Sequence, residues 1–307
     1  MTSQLDLKYT LSICILTMNR KDQVIEAIQS CIDSVLPEDT EFVIVDNGSS
    51  DGTGDIIKQY FELHPEYDFV YEFQQSNLGV GGGRSRAFGI ASGQYLYFLD
   101  DDAIIAPESR ADFFSKPIEF LQYYSQVASV TTRIQDDVVK INRNDNISTK
   151  TLGNRPLAFY FLGGSHFLKK SAFSIPLYFP ILYGSEEMAP SIIAQDKGMV
   201  HVYFDDIKII HKPKINKWQE GTSMLIDVMI KGIAIKHATK LILYPSIVHP
   251  ILNLAHYLRC RKYLAKYPGA IDRCHELIRN TINENKHKKI KLSTIFRMYN
   301  NFGLSIF

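Results

Sequence analysis

The sequence lacks most of what would announce a membrane-spanning protein, a disulfide scaffold or a metal-cluster protein. Its 307 residues hold four cysteines and one tryptophan. Cys14, Cys31, Cys260 and Cys274 show no metal-type spacing and no framework of pairs, so reduced cytoplasmic thiols are expected. Cys14 falls in a buried-strand pattern and Cys31 on a helix face. The longest apolar stretch, "LILYPSIVHPIL" from Leu241, runs for about a dozen residues with two prolines, too short to cross a bilayer. No basic stretch precedes the apolar run of "MTSQLDLKYTLSICIL", which reads as a first strand and not as a secretory signal. Internal repeats and low-complexity tracts are absent. The glycine-rich "NLGVGGGRSR" (Asn77–Arg86) fails the dinucleotide fingerprint, because Arg84 stands where the third glycine is required, and it has no Lys-Ser/Thr of a P-loop. "DNGSSDGT" (Asp46–Thr53) is not a calcium loop, since Asp51 occupies the position that demands glycine.

The chain is 45% hydrophobic with mixed charges, the balance of a globular protein able to bury a core. Its net charge of +1 conceals an asymmetry. From Lys212 to Phe307 there are 17 Lys and Arg against 5 Asp and Glu, a balance of +12. The totals of 34 and 33 leave 17 basic and 28 acidic residues before Lys212, a balance of −11. An acidic body therefore carries a basic region, and two functional zones are expected.

Over the first hundred or so residues, strand and helix patterns alternate. The runs Leu11–Thr17, Glu41–Asp46, Phe69–Gln74 and Tyr95–Asp100 read as strands, with helical stretches at 22–35, 52–64 and 84–93. Such alternation predicts a mainly parallel, Rossmann-like sheet flanked by helices, with ligands bound beyond the carboxyl ends of the strands. The unusual residues lie at those ends. "TMNR" (Thr17–Arg20) follows the first strand and "DNGSSDGT" the second. "NLGVGGGRSR" follows the third, and Asp100, Asp101 and Asp102 end the fourth. Farther along, Asp112–Val130 mixes helix and strand signals, and Gln135–Lys150 reads as a polar loop or hairpin. Ala158–Phe173 reads as a strand, a Gly-Gly break and a return. Tyr183–Gly198 reads as a loop feeding a helix that stops at Gly198. "MVHVYFDDIKIIH" (Met199–His211) reads as two short strands, and after Trp218 the pattern is helical.

Adjacent carboxylates repel, so three aspartates closing an apolar strand require a reason. Two of them at i and i+2 on a turn can face one hard cation that keeps open positions for phosphate oxygens. Arg84 and Arg86, beside glycines that let backbone approach closely, can neutralise a phosphate. Taken singly, Glu186 and Glu187 are explained as an acidic first helical turn, and His211 as a packing residue.

Five segments, in this order, resemble the inverting glycosyltransferases of family two, which have the nucleotide-sugar-binding GT-A fold. They are "SICILTMNR", "FVIVDNGSSDGT", "NLGVGGGRSRAFGIASGQYLYFLDDDA", "FLGGSHFLKKSAF" and "YGSEEMAPSIIAQDKGMVHVYFDDIKIIH". The resemblance spans roughly residues 9 to 212 and implies a catalytic domain over 1–215, followed by a basic helical region over 216–307. It implies that Asp100 and Asp102 form a DXD-type motif holding Mn²⁺ or Mg²⁺ on a diphosphate. Asp102 would be the direct ligand, with Asp100 nearer the ribose, Asp101 beside the donor and His211 a further metal ligand. By the same resemblance Thr17, Asn19, Arg20, Asp46 and Asn47 match the base and ribose pocket. Asn77, Gly79 and Arg84 match the region beside the diphosphate and donor sugar. "GSEE" corresponds to the acidic base motif, with Glu187 as base and Glu186 its neighbour. The motif reads Glu-Glu where the family has Glu-Asp, which leaves both carboxylates as candidates. The family's processive members carry Gln-x-x-Arg-Trp on a later helix. Here only "KINKW" (Lys214–Trp218) stands near that place, so a single sugar addition is expected.

The expected reaction transfers one sugar, with inversion, from a nucleotide-diphosphate sugar, UDP favoured, to a glycan, lipid-linked or protein acceptor, as in bacterial-type surface polysaccharide or glycoconjugate synthesis. A nucleotidyltransferase on a related fold is disfavoured because "TMNRKDQ" has no glycine. A non-catalytic nucleotide-sugar-binding descendant is the remaining alternative. Nucleic-acid binding is not expected, since the basic residues lack interleaved aromatics in a recognised module. The basic region is expected either to touch an anionic membrane at the inner face or to pack as a cap on the catalytic domain or a second copy of the chain.

Overall fold

The structure is a computed structural model that describes residues 7–136, 146–179, 181, 183–213 and 222–307. Part of the Gln135–Lys150 stretch, all of "KINKW" and the expected boundary at 215/216 lie outside the described residues.

The first half alternates as the sequence pattern requires: β1 (Tyr9–Thr17), α1 (Lys21–Ile32), β2 (Thr40–Asp46), α2 (Thr53–Glu62), β3 (Asp68–Phe73), α3 (Gly79–Ile90) and β4 (Gly93–Asp100). Strands β3-β2-β1-β4 lie side by side and parallel. Their β-branched and aromatic residues are covered on both faces, which explains why β1, β2 and β4 read as continuous apolar runs. Ile13, Phe42, Ile44 and Tyr97 face a core under α1 and α2, and Cys14, Val43, Val45 and Phe98 face one under α3.

Register then decides where the strands end. Thr17 pairs with Asp46 and Leu16 with Asp100, so three loops open on one rim. Short β5 (Ala103–Ile105) follows, then α4 (Ser115–Tyr123), β6 (Val127–Asp136), β7 (Ile147–Leu152), β8 (Arg155–Ala158) and β9 (Ser165–Lys169). Beyond β4 the sheet is mixed. β9 runs antiparallel between β4 and β6, and its start sets Gly164 beside Asp100, whose N–H donates to the Gly164 carbonyl at 3.2 Å. After α5 (Met188–Asp196) comes β10 (Val200–His211).

Two sequence expectations change here. Residues 199–211 form one strand, not two: β10 follows β6 in parallel but shifts register between Phe204 and Lys208, so an irregularity replaces a turn. The shift still brings His211 opposite Asp136 on β6 and Ala103 on β5. The glycines Gly79–Gly83 are not a loop before a helix but the first turns of α3. Their small size permits close packing. A Cβ on Gly83 would lie 2.4 Å from Leu16 Cδ1, and one on Gly81 2.4 Å from the Phe179 carbonyl.

The last third is helical: α6 (Ser223–Leu243), α7 (His249–Arg259), α8 (Ala270–Glu284) and α9 (Leu292–Phe302). It is not separate from the sheet domain. Met188, Ala189 and Ile192 of α5 share one core with Ile242, Leu243, Ile295 and Met298. Asp196 at the end of α5 accepts from the Lys291 N–H at 2.9 Å and from Thr294 Oγ1 at 2.6 Å.

Candidate active site

Three groups of side chains gather on the rim. The first is built by the loops after β1, β2 and β3. Asp46 is buried, accepts from the Ser49 N–H at 2.8 Å and takes the Tyr71 hydroxyl at 2.8 Å. Asn47 donates to Asn77 Oδ1 at 2.8 Å and to the Gly79 carbonyl at 3.3 Å, and accepts from the Leu78 N–H. Asn77 Oδ1 also takes the Gly79 N–H at 2.7 Å, and Gly79 stands at φ +72°, where a glycine avoids the Cβ cost. Asn19 is left-handed at φ +54°, a conformation that asparagine tolerates. Its Oδ1 takes the Ser50 N–H, and its own N–H donates to Ser49 Oγ. These bonds lace the first two loops together, and the Thr17 carbonyl ties them by accepting the Asn47 N–H at 2.8 Å. Thr17 itself is buried at the end of β1.

The second group is acidic. Asp102 pairs with Arg20 on one side and with His211 Nε2, at 3.3 Å, on the other. His211 Nδ1 in turn lies 3.2 Å from Asp136 Oδ2. Burial raises the Asp102 pKa, but the hydrogen bond to His211 and the charge of Arg20 outweigh it, and the carboxyl sits well below its usual range. Asp101 goes the other way: burial pushes it up to about 7, with Arg20 3.5 Å away only partly opposing. Ligating atoms of Asp100, Asp102 and His211 all lie within 4.8 Å of one another. Two carboxylates and an imidazole fit a Mn²⁺-type ion, so this group could bind a metal.

The third group surrounds Arg84, which α3 projects into the rim. Its guanidinium donates to Asp100 Oδ1 at 2.6 Å and to Glu186 Oε1 at 2.7 Å, with Glu187 Oε1 at 3.5 Å. Only 6% of Arg84 is exposed, so the fork serves three carboxylates away from water. Glu186 Oε2 also accepts the Gly184 N–H at 3.0 Å, which leaves Glu187 the less engaged of the pair. Burial pushes Glu187 up to about 8, Glu186 adds to the rise and Arg84 opposes it. A carboxyl whose pKa sits near neutrality is suited to accept a proton.

The site residues that the resemblance implies lie at this rim, where Arg84 joins the aspartate run to the Glu pair, whereas Arg86 is exposed and pairs with Glu72 of β3 instead. Sequence reasoning missed Tyr71, Asp136 and Gly163. Gly163 sits against the site: a Cβ there would meet Glu187 Oε1 at 1.9 Å and Arg84 Nη1 at 2.7 Å and push those side-chain ends aside. The Gly-Gly break was its signal. Asp136 had none, since its role depends on β6 lying beside β10.

Residues 12–176 match the family described as Glycosyl transferase family 2. A Bacillus subtilis protein assigned to teichuronic acid biosynthesis as a glycosyltransferase, TuaG, is 32% identical over 124 residues, 40% of this chain and 46% of that one. The poly(ribitol-phosphate) beta-glucosyltransferase of Bacillus spizizenii is 35% identical over 106 residues, 34% of this chain and 17% of that one. The chain therefore matches under half the length of these curated relatives. Among solved structures, the mannosyltransferase PcManGT of Pyrobaculum calidifontis, in complex with GDP-Man and Mn²⁺, superimposes with a TM-score of 0.61 at 17% identity. That match covers 100% of this chain and 85% of that one. TarS 1-349 of S. aureus, in complex with UDP-GlcNAc, gives 0.62 at 15% identity over 88% and 79% of the two chains. At such identities the structures attest the GT-A fold alone. With more than half of its length matched by the family and the fold in agreement, the chain belongs to glycosyl transferase family 2.

Proposed function

We propose that the chain transfers a single sugar, with inversion, from a nucleotide-diphosphate sugar to an acceptor hydroxyl, in the synthesis of a bacterial-type surface polysaccharide or glycoconjugate. The observation that carries this reading is the position of Arg84 between the Asp100/Asp102/His211 group and the Glu186/Glu187 pair. It sets a site suited to a leaving diphosphate against a carboxyl suited to a proton.

Asp46, Asn47 and Asn77 offer fixed donors and acceptors for base and ribose, with Asn19 and Arg20 at the edge. Asp100, Asp102 and His211 would hold Mn²⁺ or Mg²⁺, which when bound supplies charge neutralisation for the diphosphate. Asp136 orients the His211 imidazole, as an outer partner does for a ligand. Glu187 takes the proton of the acceptor hydroxyl as that oxygen attacks the anomeric carbon from the face opposite the diphosphate. A single displacement inverts the configuration and needs no enzyme nucleophile. Glu186, tied to Arg84 and Gly184, holds the guanidinium in place and keeps the Glu187 pKa up.

UDP is favoured as the donor nucleotide. The TarS complex with UDP-GlcNAc supports it, and the PcManGT complex with GDP-Man keeps GDP in view. On the acceptor side, a cavity of about 390 Å³ is lined by Tyr160, Met188, Lys236, Lys240, Arg259 and Tyr263 among others. Met188 directly follows Glu187. Lys236 and Arg259 bring positive charge to this cavity and no Asp or Glu lines it among the described residues, while burial holds Lys240 well below the usual lysine range; the balance favours an acceptor bearing negative charge, such as a phosphate. The relative that acts on poly(ribitol-phosphate) is consistent with this. The helical region from Ser223 onward then acts as an acceptor-side cap. Ile251, Leu254, Tyr257 and Leu258 of α7 are exposed beside Arg261 and Lys262, which supports peripheral contact with an anionic membrane. No described helix is long and apolar enough to cross a membrane.

Calorimetry with UDP, dTDP, GDP and CDP, with and without Mn²⁺, tests the reading. Metal-dependent binding of one nucleotide is expected, lost in Asp102→Ala and kept in Glu187→Gln. A folded protein that binds none of them overturns it in favour of a non-catalytic descendant.

A further inference from the structure

Cys260 and Cys274 have no metal-type spacing in the sequence, yet the fold brings both of them to His256. His256 lies on α7, one helical turn before Cys260, where the helix continues as a π turn over Cys260–Leu264. Such widened turns often mark functional sites. Cys274 comes from α8, across the packing seam. The three are 7%, 4% and 0% exposed. Cys260 Sγ lies 3.4 Å from His256 Nε2, and all three ligating atoms fall within 4.8 Å of one another. A zinc ion with its usual bond lengths spaces sulfur and nitrogen about 3.6 Å apart and two sulfurs about 3.8 Å apart along the edges of its tetrahedron. The apoprotein spacing is thus close to that of a bound site.

The fourth direction opens on a cavity of about 560 Å³ lined by His237, Asn253, His256, Cys260, Arg261, His275 and Arg279 among others. His275 is exposed at its mouth, with its ring 5.5 Å from that of His256. His237 stacks on His256 with ring centres 4.1 Å apart and planes 11° apart, which fixes the ligating ring. Burial raises both thiols, Cys274 to about 12, with Arg259 only partly opposing at Cys260, so it is the charge of a bound ion that would draw out the thiolate forms. Two thiolates and imidazoles are soft and borderline donors, unlike the carboxylates of the rim, and select zinc over Mn²⁺ or Mg²⁺.

We propose that Cys260, Cys274 and His256 hold a zinc ion, stapling the end of α7 to α8, with His275, which lies outside this close group and would have to turn in, as the fourth donor. The site is distinct from the Asp100/Asp102/His211 group and does not rest on the transferase reading. Each cysteine would give up a thiol proton to solvent as the ion binds.

The test uses the full chain expressed with added zinc and dialysed against a weak chelator. Metal analysis is expected to find one zinc per chain, retained in Asp102→Ala and lost in Cys274→Ser. Replacement by Co²⁺ is expected to give the thiolate-to-metal charge-transfer band and tetrahedral ligand-field bands. Strong chelation is expected to lower the melting temperature of the wild type and to expose two more reactive thiols. His275→Ala is expected to weaken zinc binding by at least the roughly 10–100-fold that loss of an outer partner costs. If Cys274→Ser fails to fold, the cobalt spectrum of the wild type decides. Wild-type protein without zinc, thiols whose reactivity ignores zinc, a Cys260–Cys274 disulfide in the mass spectrum, or zinc that leaves with Asp102→Ala would each overturn the site. Unchanged affinity in His275→Ala would overturn the role of that residue.

Discussion

Gly163 and Glu187 are packed so closely that a methyl group on the glycine would sit 1.9 Å from the carboxylate oxygen Oε1. The carboxylate proposed as the base is thus positioned by the absence of a side chain on the strand-connecting loop before β9. Gly163→Ala is expected to keep the fold and to push Glu187 aside. A displacement of about 1 Å costs roughly 100-fold in turnover. Steady-state kinetics beside circular dichroism checks it; full activity in the variant would show that Glu187 is not the reacting group.

Arg84 is the charge balance of the rim. Its removal in Arg84→Ala leaves Asp100, Glu186 and Glu187 facing one another with little water. A loss of about 3–5 kcal/mol of stability is expected, as for a broken buried ion pair. Arg84→Lys, with a point charge in place of a fork, is expected to lose less but not to restore activity. Urea denaturation curves give both values.

The raised pKa of Glu187 sets a pH limb. The carboxyl is protonated below about 8 in the free protein, so kcat/KM is expected to rise with pH and level off above that value. Glu186→Gln removes a neighbouring negative charge and is expected to shift this limb to lower pH. Stability runs the other way. A folded-state pKa above the ordinary 4.5 means that ionisation of Glu187 is disfavoured in the fold. Its contribution therefore falls as pH rises from about 4.5 to about 8 and is constant outside that window. In Glu187→Gln both dependences are expected to vanish.

His211 is held by Asp136 at 3.2 Å, so this carboxylate can be tested without touching a proposed metal ligand. Asp136→Ala is expected to weaken Mn²⁺-dependent nucleotide binding by roughly 10–100-fold, and Asp102→Ala to abolish it. Metal titrations at fixed nucleotide distinguish the two; an Asp136→Ala variant with wild-type metal affinity would remove the outer residue from the site.

Lys236 and Arg259 line the cavity next to Met188. If the acceptor brings a phosphate there, Lys236→Ala and Arg259→Ala each lose a charge-assisted hydrogen bond of about 1.5–3 kcal/mol, or roughly 10–100-fold in acceptor KM. Donor KM and kcat are expected to hold. Equal effects on a neutral acceptor would exclude charge as the cause.

The apolar runs at Leu11–Thr17, Glu41–Asp46 and Tyr95–Asp100 reveal parallel strands from the sequence alone, because a strand covered on both faces must be apolar at every position. The aspartate run, the acidic pair and the glycine-rich stretch are legible for a similar reason: each is costly or weak locally and needs a purpose elsewhere. What no local pattern contains is distance. Arg84 meets Glu186 across 102 positions only because α3 and the segment before α5 converge on the end of β4. β10 is one strand because pairing with β6 continues through an irregularity that looks like a break. Cys260 and Cys274 look unrelated because their spacing follows no turn of a single element, and only the packing of α8 on α6 and on the π turn after α7 brings them together. The sequence by itself determined most of the elements and the chemistry available at their ends. Sheet register and helix packing, which depend on contacts between residues far apart in the chain, decided which of those groups meet.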